Sequence, residues 1–163
     1  EILVDIALYR CLKADWNKAT PLLEGLAQTG SPLPLSYQIG LSLYHFARAR
    51  FDLALAAARR IEATHVAHSY VAQAISLVRL DRTEEARHAI SQILKLNPNF
   101  TLSNPLADLS GDNLEPGLSR AVATALVDAG FNQVFGETGW NSADARDEPE
   151  PARNSSRTLR CRS

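Results

Sequence analysis

Along the first hundred positions, apolar residues recur every three or four places, the period of helices that bury one face. In ILVDIALYRCL (2–12), Leu3, Ala7, Leu8 and Cys11 form one stripe. A second helix is expected over 16–27, with Asp15 as its cap and Pro21 interrupting or kinking its first turns. QTGSPLPLS (28–36) reads as a loop. Tyr37, Leu41 and Tyr44 mark a third helix over 37–47, and RFDLALAAARRI (50–61) a fourth whose alanines permit close approach of a neighbour. Two more are expected at 66–79 and 83–96. The connections within pairs are short, so partners run antiparallel. Past Pro98 the periodicity fades over 99–117 and returns in LSRAVATALVDAG (118–130), which Gly130 ends. The polar residues 132–163 predict a disordered tail.

The helix pairs repeat. ADWNKATPLL (14–23), ARFDLALAAA (49–58) and DRTEEARHAI (81–90) each carry a turn, polar filler and then an alanine. Those alanines, Ala19, Ala54 and Ala86, lie 35 and 32 residues apart. A period near 34 with a small residue at a helix crossing is the signature of a stacked helix-pair repeat. The third pair gives the fullest pattern, with Tyr70, Ala74 and Leu77 on its first helix, Ala86, Ile90 and Ile93 on its second, and Pro98 closing it.

In these positions the chain resembles the tetratricopeptide repeat over residues 1–98. It departs at Gln73, where leucine is usual; at His45 and Arg10, where an aromatic is usual; and in the missing closing proline of the middle pair. The resemblance implies an all-α fold of about three antiparallel helix pairs stacked as a short superhelix, a linker at 99–117 and a capping helix at 118–131 that shields the last apolar face. A narrower resemblance is to the C-terminal repeat regions of bacterial class III adenylate cyclases and winged-helix regulators. It rests on Leu96, Asn97, Pro98, Phe100 and Leu102, followed by Ala129, Gly130 and Phe131. The linker SNPLADLSGDN lacks the basic stretch usual there, and no catalytic residue is carried over.

Composition narrows the function classes. With 163 residues, 45% hydrophobic and 21% charged, the chain can bury a core. A net charge of -1 argues against nucleic acid as a partner. No run of 18 apolar residues suggests a membrane span, and no leader is evident. Two cysteines at opposite ends of the sequence, Cys11 and Cys161, suggest reduced thiols and a cytoplasmic setting, which would make the glycosylation patterns at Asn99 and Asn154 meaningless. The start at Glu1 and the absence of methionine suggest a fragment, a processed product or a trimmed chain.

Chemistry finds little support. Cyclase chemistry needs paired carboxylates around metal ions, but Asp5, Asp52 and Asp81 fall at helix ends or exposed faces, where capping explains them. His65 and His68 share a spacing of three but lack a third ligand, and His45 and His88 stand apart. GETGW (136–140) is too sparse to cradle a phosphate, and Cys11 has no positioned base. No catalytic residue, metal site or cofactor is expected.

A binding role fits better. The first helices of stacked pairs line a concave face. By register, Tyr9, Gln38, Ser42, His45 and Gln73, with Asp5 and Ser69, are expected on it. Tyr9 and His45 would contact a peptide, while Gln38 and Gln73 would bond its backbone. For Tyr9, Tyr37 and Tyr44, packing between helices is the competing explanation. The end near residue 1 would pack on an upstream repeat. The expected partner is a protein or peptide, including an upstream domain of the same chain. The expected function is a protein-interaction scaffold or, alternatively, the regulatory arm of a cyclase-like or transcriptional regulator.

Overall fold

The three helix pairs are joined by the same turn, built three times. Ala14, Ala49 and Asp81 all adopt the left-handed conformation, at φ 51, 54 and 57°. Each precedes one of the anchoring alanines by five positions. In each turn the next residue's N–H reaches back over the end of the first helix: Asp15 to the carbonyl of Arg10 at 2.9 Å, Arg50 to His45 at 2.9 Å, and Arg82 to Leu77 at 3.0 Å. This is the Schellman closure, which satisfies carbonyls that a helix end would otherwise leave unpaired. The structural repeat therefore rests on backbone geometry as well as on matching side chains.

The structure, a computed structural model, describes residues 2–29, 33–61, 65–103, 105–106 and 114–131. They contain seven α-helices and no strand: α1 (Ile2–Leu12), α2 (Trp16–Ala27), α3 (Leu35–Ala47), α4 (Phe51–Arg59), α5 (Ala67–Arg79), α6 (Thr83–Leu96) and α7 (Pro116–Asp128). The tail expected to be disordered lies outside the described residues. Pro21 does not interrupt α2. The N–H it lacks would have met the carbonyl of Asn17, an exposed residue, so the loss falls where water can compensate. Asp15 stands at the N-cap position but makes no capping bond. Its carboxylate instead pairs with Arg10 at 3.1 Å and Lys18 at 3.4 Å.

Small residues set the helix spacing. Ala19, Ala54, Ala74 and Ala86 are fully buried, and Leu77 and Ile90 are buried beside them. Tyr70 packs at the edge of the core, and Pro98 is exposed. Where α1 meets α3, Gly40 brings the backbones together: a Cβ there would lie 3.5 Å from Cys11 Sγ. Two clusters form the interior. A smaller one joins Val4, Ala7 and Cys11 of α1, Ala19 and Leu23 of α2, and Tyr37 of α3. A larger one runs through the rest.

The last helix packs on α5 of the last pair and also reaches back to the end of α1. α7 begins at Pro116, with the carboxylate of Glu115 accepting the Leu118 N–H at 2.7 Å. A bond from the Gly117 N–H, and then that from Leu118, hold the Glu115 carboxyl below its usual range. The Glu115 N–H donates to the carbonyl of Leu12, at the end of α1, at 2.8 Å. At the other end Asp128 pairs with Arg79, the last residue of α5, at 3.1 Å. The helix thus runs from the end of α1 to the end of α5. Its Leu118, Val122, Ala125 and Leu126 join the same cluster as Leu8 and Leu12 of α1, Ile39, Leu43 and Phe46 of α3, and Val71 and Ile75 of α5.

Candidate interaction surface

The five residues expected on a concave face differ in exposure. Ser42 is fully buried and donates its hydroxyl to the carbonyl of Ala54 at 3.0 Å, so it holds α3 against α4 and is not presented to a ligand. Gln38 and His45 are half-buried on the same helix, and the Oε1 of one and the Nδ1 of the other are enclosed without a hydrogen-bond partner. Burial, and then the nearby Arg50, lower the pKa of His45 below the ordinary histidine value. Gln73 lines an open cleft with Arg59, Tyr70 and His88 among α4, α5 and α6. Ser69 is buried, its hydroxyl bonded to the Val66 carbonyl at 2.9 Å. Of these residues only Tyr9 and Asp5 are exposed. Ser42 is taken up by α4 and Ser69 by the start of its own helix, while Gln73 stays at an open cleft.

The exposed apolar surface lies elsewhere. Seven large apolar side chains are exposed among the described residues, and four of them, Ile2, Leu3, Ile6 and Tyr9, are on α1. They cover on the order of 400 Å², a size that on a monomer often marks a functional patch. Lys13 lies over the Tyr9 ring, 5.7 Å from its centroid, at one end of the strip.

The repeat explains why this strip is bare. With the three turns in register, Ile2 corresponds to Tyr37 and Ser69, Ile6 to Leu41 and Gln73, and Tyr9 to Tyr44 and Ser76. Ile2 is 76% exposed, whereas Tyr37 is 3% and Ser69 1% exposed. Tyr9 is 47% exposed and Ser76 fully buried. In α3 this face is covered by α2: Tyr37, Leu41 and Tyr44 pack in the cluster that contains Ala19 and Leu23. Tyr37 Oη donates to the Leu23 carbonyl at 3.1 Å, and Tyr44 meets Trp16 at 6.1 Å between centroids. In α5 the corresponding cover is α4, where Ala54, Leu55, Ala57 and Ala58 are buried. No described helix covers α1 in this way.

Other candidate chemistry disperses. Asp5, Asp52 and Asp81 are exposed on different elements, His65 is exposed and His68 is buried. Among the described residues no three His, Cys, Asp or Glu side chains converge as metal ligands would. Cys11 is enclosed, and desolvation pushes its thiol up to about 12, so the reactive thiolate is scarce. No described helix is long and apolar enough to cross a membrane. Comparisons with protein-family models, curated proteins and solved structures gave no match.

Proposed function

We propose that this chain is a protein-interaction module of the tetratricopeptide type, whose outward α1 face docks a protein partner. The supporting observation is the bare strip Ile2, Leu3, Ile6 and Tyr9; in the later pairs the counterparts of Ile2, Tyr37 and Ser69, and one counterpart of Tyr9, Ser76, are buried. Its chemistry is association, and no residue is assigned a catalytic role. A cytoplasmic setting accords with Cys11 as a buried free thiol. The test is a photo-crosslinking residue placed at Tyr9 of the full chain in cells, with one at Val127 as control. A single protein captured from Tyr9, absent from Val127 and lost on Ile6→Glu, is expected. Equal capture from both positions, or capture that survives Ile6→Glu, refutes the reading.

A second reading is favoured by one contact. Phe100 and Phe131 belong to the two halves of the motif that resembles cyclase-associated and winged-helix regulators, and their rings meet at 5.5 Å between centroids. Under this reading the module is the regulatory arm of such a protein, and its partner is the effector domain. Identification of the crosslinked protein distinguishes the two readings.

A further inference from the structure

Where the start of α7 meets the turn after α1 and the end of α3, the chain leaves an open cavity of about 280 Å³. We propose that this cavity binds an organic cation, a guanidinium or ammonium head on an apolar stem, with Glu115 receiving the head and Trp16 and Phe46 the stem. The site stands apart from the outward strip of α1 and does not depend on it.

The lining sets the chemistry. Trp16 and Phe46 share the wall with the Glu115 carboxylate, while Ala47, Gly117 and Ala121 leave the space between them free. Aromatic rings attract a cation through their electron-rich faces, and a carboxylate adds a charge-assisted hydrogen bond. An anion would be repelled by both. A wholly apolar guest would strip water from the carboxylate and return nothing.

The parts are held in place before any ligand arrives. Trp16 is backed by Tyr44 at 6.1 Å between ring centroids, and Phe46 by Phe51 at 5.8 Å. Glu115 is fixed twice: its N–H donates to the Leu12 carbonyl at 2.8 Å, and its carboxylate accepts the Leu118 N–H at 2.7 Å. Gly117 makes room for that carboxylate, since a Cβ there would lie 3.0 Å from Oε2.

The charge on Glu115 has no cation of its own. Among the described residues no Lys or Arg forms an ion pair with it, and Arg120 acts on it only through space. The start of α7 offsets roughly half a unit charge, so the cavity keeps a negative potential. The open cleft among α4, α5 and α6 is different. There Glu84 is paired with Arg87, and Glu85 with Arg59 and Arg82. Its carboxylates are already satisfied, whereas Glu115 is left for a cation from outside.

The test is a titration of the isotope-labelled full chain, followed by magnetic resonance at the Gly117 and Leu118 amides and the Trp16 indole. The probe n-butylguanidinium is expected to shift these signals saturably, and its neutral isostere n-butylurea to bind at least tenfold more weakly. Glu115→Gln keeps an oxygen to cap α7 but removes the charge, so it should weaken the cation at least tenfold and leave n-butylurea unchanged. Ala121→Leu fills the cavity from an exposed helix position with the carboxylate intact, and should abolish binding of both. Unshifted α5 amides show that each variant is folded. Equal binding of the two probes, binding that survives Ala121→Leu, or the lack of any saturable shift overturns the site. A partner's basic side chain and a free small amine share this chemistry, and N-acetyl-arginine N-methylamide tells them apart. Binding as tight as that of n-butylguanidinium assigns the site to a side chain; its failure while n-butylguanidinium binds assigns the site to a free amine.

Discussion

The same substitution, alanine to glycine, should have opposite signs at two positions five residues apart. Ala49 is exposed and holds φ 54°. A Cβ in that conformation crowds the following carbonyl, at a cost of about 1–2 kcal/mol. Glycine removes this cost but adds about 0.5–1 kcal/mol of unfolded-state entropy. The net expectation for Ala49→Gly is a stabilisation of about 0.5–1 kcal/mol, because no packing is lost. Ala54 lies inside α4, fully buried against Ser42. Glycine there forfeits about 1 kcal/mol of helix propensity and a buried methyl worth about 0.8 kcal/mol, so Ala54→Gly should destabilise by about 2 kcal/mol. Urea unfolding of the full chain reads both effects as shifts in midpoint at constant slope. If Ala49→Gly lowers the midpoint, the left-handed Ala49 carries no strain that glycine relieves.

Further outcomes follow from single contacts. Ser42→Ala should change stability by less than about 1 kcal/mol, since donor and side-chain volume leave together, while Ser42→Leu overpacks the α3–α4 crossing and should cost about 3 kcal/mol in the same assay. In a Cys161→Ser background, Cys11 should react with a thiol reagent at pH 8 far more slowly than an unfolded control, because its thiol is pushed up to about 12. His45 is held neutral in the fold, its pKa below that of the unfolded chain. The unfolded state therefore binds the proton first, and stability should fall as pH drops through about 6.5 toward the lower folded value. His45→Phe should flatten that slope in urea titrations between pH 7 and pH 5.

The helices were legible because their signals are local. Apolar spacing, the short polar turns and the recurring alanines place all three pairs within a few residues. Pro21 is compatible with α2 because the carbonyl left without its donor belongs to Asn17, an exposed residue. The surface was harder to read. Periodicity says which side chains share a face but not which neighbour covers that face. Ser42 and Tyr9 were therefore placed on one concave wall, although one is sealed against α4 and the other looks away from the stack. The path of α7 was invisible for the same reason. Its stripe of Leu118, Val122 and Ala125 was plain, but nothing local encodes contact with residues a hundred positions earlier.

The tie between Glu115 and Leu12 bears on how the molecule comes apart. An open stack of repeats can fray from either end, because each unit answers only to its neighbours. Here the first helix is bonded to the start of the last one, whose other end is held by Arg79. Loosening α1 therefore breaks a bond to the start of α7, which packs on α5, so opening of the first helix is coupled to the far end of the chain rather than to its neighbours alone.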